Sequence, residues 1–316
     1  MILRPRGPYS LRQSLLGRAG GTLRLRGGAL ELTVRPEGGA GRARVLQLAD
    51  GALRAEVLEG DPAAVAAEVR RRLSLDADTT PFRERFADDP LLGPLVRRRP
   101  GLRPMVRGTV SQAALAAVAG QLVTWAEAAA IEARVVAAVA PKVGAREGGL
   151  RLPPTRAELA ALSPAQLAAR GLSSGRAATL ARLLRTLDVE ALRRHGSPAV
   201  LARLTRERGL GPWSAGVVGL LGLGRLDLGL VGDLGLIRLA SRLEGRTAGV
   251  AETAALLAPY GEWAGLASLH LLGHPWAAEP VRRGSPGTPR TSRGRPRATP
   301  PGAGPPPRTS TRPTPG

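Results

Sequence analysis

The chain has 316 residues, with 46 Lys and Arg against 25 Asp and Glu, a formal charge of +21 and no cysteine. The charge favours a polyanionic partner, nucleic acid first, and the missing thiols exclude disulfides, iron–sulfur clusters and thiolate zinc sites. A GC-rich coding sequence also enriches arginine, so the charge alone does not decide the partner, but the segment 277–316, with eight arginines and one glutamate, carries only part of it. His195, His270 and His274 match no zinc spacing, and Lys142 is the single lysine. The start, "MILRPRGPYSLRQ", lacks an apolar signal core, and no uncharged run reaches membrane-spanning length. A soluble, cytoplasmic, nucleoid-associated protein is expected.

Apolar residues alternate in "TLRLRGGALELTV" around Gly27-Gly28 and in "RARVLQLADGALRAEVL" around Asp50-Gly51, which predicts two hairpins. "DPAAVAAEVRRRLSL" then predicts a helix, with Asp61 as N-cap, Pro62 in the first turn, and Val65, Val69 and Leu73 on one face. Beyond residue 80 the strand signal vanishes. Residues 109–140 read as helix broken near Gly120, and five later segments read as short helices opened by Ser, Thr or Asp caps. From Ser285 the sequence is Pro, Gly, Thr, Arg and Ser without periodicity, and disorder is expected there. The fold class is therefore α+β, an N-terminal antiparallel sheet with a helix followed by an all-α part and a disordered tail.

Gly209-Leu210-Gly211 separates "SPAVLARLTRE" from "GPWSAGVVGLLG". Two glycines one residue apart permit a sharp turn, and a helix opening at Pro212 leaves free N–H groups that suit an anion such as a DNA phosphate. A plain turn between helices gives the same pattern. Asp233, before "LGLIRLASRL", reads on its own as an ordinary N-cap.

Taken together with their flanks, these segments resemble the helix–hairpin–helix base-excision DNA glycosylases, in particular the DNA-3-methyladenine glycosylase II family. The segments that carry the resemblance are "LSLDADTTPFRERFADDPLLGPLVRRRPGLRP", "AGQLVTWAEAAAIEARVV", "LPPTRAELAALSPAQLAARGLSSGRAATLARL", "GLGPWSAGVV…LGRLDLGLVGDLGL" and "APYGEWAGLASLHLL". The resemblance covers residues 1 to about 276. It implies a sheet domain at 1–80, one helical lobe from 81–108 and 230–276, a second lobe at 109–229 that carries the hairpin, and the tail at 277–316.

The resemblance also implies an activity, the hydrolysis of the N-glycosidic bond of alkylated purines flipped out of double-stranded DNA. Asp233 matches the catalytic carboxylate, which would stabilise the oxocarbenium-like sugar and orient water. Leu122 matches the wedge that fills the vacated stack, with Gln121 beside it. Trp213, Val217 and Leu272 match the base pocket, with Trp213 expected to stack on the base. Gly209, Leu210, Gly211, Trp213 and Ser214 form the phosphate-binding hairpin. Main-chain oxygens of Thr205, Glu207 and Gly209 match a site for a monovalent cation, Na+ or K+; no other cofactor is implied. Relatives with lyase activity place a lysine one residue past the position of Pro212. Here that residue is Trp213, so no abasic-site lyase activity is expected. Val217 and Leu272 stand where some relatives carry aromatic side chains, and Leu234 follows Asp233. That leaves an alternative, a catalytically impaired DNA-binding protein of the same fold. A monomer with no membrane partner is expected in either case.

Overall fold

The computed structural model describes residues 1–15, 20–36, 39–144 and 149–278. The tail expected from Ser285 lies outside the described residues. Five strands, β1 (Ile2–Leu3), β2 (Leu23–Arg26), β3 (Ala29–Val34), β4 (Gly41–Gln47) and β5 (Leu53–Glu59), form one antiparallel sheet in the order β1-β5-β4-β3-β2. Both expected hairpins are present. Gly27 and Gly28 have φ of 56° and 76°, the paired left-handed conformation that a two-residue hairpin requires, and they set Leu25 opposite Leu30. At the other turn Asp50 accepts a hydrogen bond from the Ala52 N–H at 3.0 Å.

β3 is buried at all six positions. Leu30, Leu32 and Val34 join Val65 and Val69 of the helix Pro62–Arg72 in one apolar core. As expected, the Asp61 carboxylate caps that helix, at 2.8 Å from the Ala64 N–H. On the other side Thr33 donates to the Arg151 carbonyl at 2.5 Å. Arg151 belongs to a short ribbon of β6 (Lys142–Val143) and β7 (Leu150–Arg151). The sequence reading placed no strand beyond residue 80. A two-residue strand is too short to show alternation, and this ribbon is specified by its contact with the sheet.

The remaining elements are helical, and one continuous core runs through them from Phe82 to Ala277. The break near Gly120 separates Val110–Ala119 from Trp125–Val139. Thr124, Thr155 and Ser163 each close a capping box, with Glu127, Glu158 and Gln166 three residues on. Two of the expected segments differ in detail. "DVEALRRHG" keeps its Asp cap, with Asp188 accepting from the Glu190 and Ala191 N–H groups at 3.2 and 3.4 Å, but forms a 3-10 turn, Glu190–Arg194. In Ser197–Thr205 the cap position is Gly196, and the Ser197 hydroxyl donates to Asp227 at 2.9 Å.

The sheet is joined to the helices through buried polar groups. Glu132, 1% exposed, accepts from Arg107 at 3.1 Å to each oxygen and from the Gln112 amide at 2.7 Å. Gln112 and Arg72 both donate to the Thr22 hydroxyl, at 3.5 and 3.3 Å, and Arg72, itself fully buried, also donates to the Thr33 carbonyl. These groups hold residues 22–33 against the two helices on either side of Gly120.

His270 is buried against Phe82, with ring centroids 5.4 Å apart. Burial, and then the Arg99 guanidinium, push its pKa down to about 3, and a hydrogen bond to the backbone of Leu95 offsets this only in part. The unfolded imidazole titrates near 6.5. Below that pH the unfolded chain therefore takes up a proton that the folded chain refuses, and stability falls as pH drops from 6.5 towards 3. Between pH 7 and pH 5 this group is expected to remove about 2 kcal/mol. In urea titrations at the two pH values, His270→Gln should show a smaller acid loss than wild type by that amount. Equal losses would mean that the imidazole does not contribute.

Candidate active site

The hairpin is formed by the helices Ser197–Thr205 and Pro212–Leu223. Gly209 turns the chain at φ of 88°, and a Cβ there would lie 2.6 Å from the Thr179 hydroxyl, so this position needs glycine for both reasons. The Leu210 side chain is buried and anchors the turn in the helical core. Gly211 precedes the second helix, no side chain caps it, and the space beside its Cα is open. The first N–H groups of that helix therefore face outward without intrahelical partners.

Opposite the turn is the loop between Ala119 and Trp125. Leu122 is 87% exposed and sits at φ of 57°, a strained conformation for a side chain of this size, at an apolar tip in water. The loop is tied down just before this tip. The Gln121 amide donates to the Gly209 carbonyl at 2.8 Å and to the Ser214 hydroxyl at 3.0 Å, and Arg176 donates to the carbonyls of Ala119 and Gln121 at 3.0 and 3.1 Å. Gln121 thus joins the loop to the hairpin, and Ser214, 2% exposed, serves this join from inside.

Asp233 caps the helix Leu234–Glu244 and is 7% exposed. One carboxylate oxygen accepts from the Gly235 N–H at 2.7 Å and the other from the Trp213 indole N–H at 2.8 Å. The segment in front of it is clamped by two buried hydroxyls. Ser268 accepts from the Leu230 N–H at 3.0 Å, and Thr253 accepts from the Gly232 N–H at 2.8 Å. Behind it, Gly216 of the hairpin helix lets the chain pass so closely that a Cβ there would stand 2.3 Å from the Gly229 carbonyl. Gly216→Ala must therefore move backbone. It is expected to cost about 1–3 kcal/mol and to displace Asp233 from Trp213. An unchanged urea midpoint would show that the close approach is not required.

These residues surround one cleft of about 860 Å³, lined among others by Gln121, Leu122, Gly209, Trp213, Asp233 and Leu272. Trp213 spans its floor: the indole N–H is held by Asp233, and the far edge of the ring lies 2.8 Å from where a Cβ on Gly120 would be. Val217 does not line the cleft. It is 1% exposed in the helical core, because its helix is buried from Ser214 to Gly222 and reaches the cleft only by its first turn. A second cavity of about 300 Å³ adjoins the cleft and shares Trp125, Ala128 and Leu272 with it. Lys142 lies on β6 and lines neither cavity.

The sequence reading missed Gly235, Thr253 and Ser268. The bond from Gly235 follows from the ordinary geometry of a capped helix start. Those from Thr253 and Ser268 join segments that only the fold brings together. Among the described residues no cluster of three or more His, Asp or Glu side chains is placed to hold a metal ion, and no helix is long and apolar enough to cross a membrane.

Residues 17–111 match the AlkA N-terminal domain family. A 3-methyladenine DNA glycosylase from Archaeoglobus fulgidus superposes with a TM-score of 0.76 at 18% identity, over 86% of this chain and 96% of that one. The protein has the helix–hairpin–helix DNA glycosylase fold behind an AlkA N-terminal domain. An 8-oxoguanine glycosylase/lyase from Clostridium acetobutylicum, solved with double-stranded DNA containing cytosine opposite 8-oxoguanine, superposes with a TM-score of 0.72 at 14% identity, over 85% of this chain and 92% of that one. No curated protein sequence matches the chain. The glycosylase fold places the hairpin, the Leu122 loop and the Asp233 cap around the cleft.

Proposed function

We propose that the protein is a monofunctional DNA glycosylase acting on double-stranded DNA, and that it hydrolyses the N-glycosidic bond of a flipped-out alkylated purine of the 3-methyladenine type. The observation that carries this reading is the Asp233 carboxylate, fixed by two donors in the cleft between the exposed Leu122 and the uncapped start of the hairpin helix.

Each part of the site then has a task. Free N–H groups at the hairpin helix hold a backbone phosphate and set the register without reading sequence. Leu122 enters the stack where the purine has left, which explains an apolar side chain held out in solvent. The extruded nucleotide turns its sugar towards Asp233. Each carboxylate oxygen has one donor and retains a lone pair. As the bond between C1′ and the base nitrogen breaks, its electron pair leaves with the base and positive charge grows on the sugar, where the nearby carboxylate stabilises it. Water adds at C1′ and its proton passes to solvent, leaving a neutral free base and an abasic sugar in an intact strand. No lysine lines the cleft, so the Schiff base that cuts the strand has no amine to form it.

Main-chain oxygens of Thr205, Glu207 and Gly209 would hold a monovalent cation beside the phosphate. Glu207 and Gly209 each accept one hydrogen bond, from the Leu210 N–H and from Gln121, and keep a second lone pair. Neutral oxygens of this kind suit a hard, weakly charged ion.

The test uses a labelled duplex with one alkylated purine, run on a denaturing gel before and after alkali. The expected result is an intact strand before alkali and cleavage at the lesion after it. Cleavage before alkali would contradict a purely hydrolytic enzyme.

A further inference from the structure

The second cavity, of about 300 Å³, has the size of a small ligand pocket and adjoins the cleft at Trp125, Ala128 and Leu272. Close packing ordinarily leaves no space of this size inside a fold. Here it is kept open by small side chains where the two helices on either side of Gly120 meet. Ala116 of Val110–Ala119 and Ala128 and Ala129 of Trp125–Val139 all line it, with Leu221 and Leu269 as further apolar wall. A substituent longer than a methyl, on a base held in the cleft, therefore has apolar space to enter.

The charges at this wall do not cancel. Arg99, Arg107 and Glu132 are the ionisable side chains that line the cavity. Arg107 and Glu132 pair with each other at 3.1 Å, which leaves the Arg99 guanidinium. Its Nη2 donates to the carbonyls of Leu269 and His270 at 3.3 and 2.7 Å, both neutral acceptors. Among the described residues its Nε and Nη1 have no partner, and no carboxylate lies within ion-pair distance. Burial, and then the like charge of Arg98, hold its pKa below the usual arginine value, so the cation is short of both water and a counter-ion. Gly273 makes room for it: this residue also lines the cavity, and a Cβ there would collide with the guanidinium. The cleft itself presents the carboxylates of Glu127 and Asp233, with Arg238 turned onto the Ala277 carbonyl. A negative group is thereby directed away from the cleft and towards Arg99.

We propose that the second cavity is a subsite for the tail of carboxyalkylated purines, with the base in the cleft and the tail carboxylate on Arg99. This rests on the glycosylase reading above and extends its substrate class from methyl to acidic N-alkyl groups. A carboxylate accepts from the free Nε and Nη1 hydrogens in charge-assisted bonds, and the short methylene chain behind it lies against the alanines. The bond that breaks is the same. The tail leaves with the base, and water takes the place of the base at C1′.

The experiment uses duplexes carrying 7-methylguanine, 7-carboxyethylguanine or its neutral isostere 7-carbamoylethylguanine, and measures single-turnover release. Wild type is expected to release the carboxyethyl base roughly tenfold faster than the carbamoylethyl base. Arg99→Gln, which keeps an N–H donor for the Leu269 and His270 carbonyls, should lose that preference and keep 7-methylguanine release. Ala129→Leu narrows the cavity at a helical position suited to leucine. It should slow both tailed bases roughly tenfold and leave 7-methylguanine unchanged. The assignment would be overturned by a wild type that releases 7-methylguanine but neither tailed base, by equal rates for the two tails, by a preference that survives Arg99→Gln, or by tail rates untouched in Ala129→Leu. Affinity for the three free bases, measured by calorimetry, does not depend on turnover. Tighter binding of the carboxyethyl base by wild type and not by Arg99→Gln, with no release from any duplex, would keep the subsite and remove the hydrolase reading. Equal affinities for the two tailed bases would remove the subsite.

Discussion

Asp233→Asn is expected to slow single-turnover base release by roughly 100- to 1000-fold, the usual loss when a preorganised group facing developing charge is removed. The substitution isolates charge from fold, because Asn is as good an N-cap as Asp and the helix Leu234–Glu244 should stay in place. The side chain has one acceptor oxygen where the carboxylate has two, so either the Gly235 N–H or the Trp213 indole N–H will face an amide NH2. Affinity for a duplex containing an abasic analogue should change little, since the hairpin and Leu122 are untouched. A variant that binds normally and releases base at the wild-type rate would remove Asp233 from the chemistry.

Glu132→Leu is expected to destabilise the protein by about 3–5 kcal/mol, because it leaves the Arg107 guanidinium buried without its partner. The Arg107 and Glu132 side chains are 9% and 1% exposed, and their 3.1 Å contact is reinforced by Gln112. The companion variant, Arg107→Met with Glu132→Leu, replaces both charges by apolar groups and should recover most of the loss. Urea unfolding of wild type, both single variants and the double variant gives the coupling directly. A double variant as unstable as Glu132→Leu alone would mean that shape, not charge pairing, sets the cost. The pair lies at the second cavity and within the polar join between sheet and helices, so the single variant should also loosen the wall behind Trp125.

Local rules made much of the fold legible. The hairpins at Gly27-Gly28 and Asp50-Gly51, the Asp61 cap and the break near Gly120 each depend on a few adjacent residues, and a sequence displays those. The β6–β7 ribbon depends on a distant sheet and left no periodic trace. The site was legible to the extent that one residue's position follows from its neighbours. Asp233 is fixed by its own helix start, and Leu122 by a short loop after Gly120. Val217 was placed in the base pocket, yet the structure buries it in the core. "GPWSAGVVGLLGL" is apolar on every side, so its pattern marks no face that could be assigned to a cleft.

The central claim is that a carboxylate in this cleft lets a modified purine leave its sugar. Its most direct test is to incubate the wild-type protein with duplex DNA treated with a methylating agent and to separate the released bases by chromatography. The account predicts free methylated purines from the wild type and essentially none from Asp233→Asn at equal DNA occupancy. Occupied DNA that yields no free base with either protein would contradict it, and would leave a DNA-binding protein with a glycosylase fold.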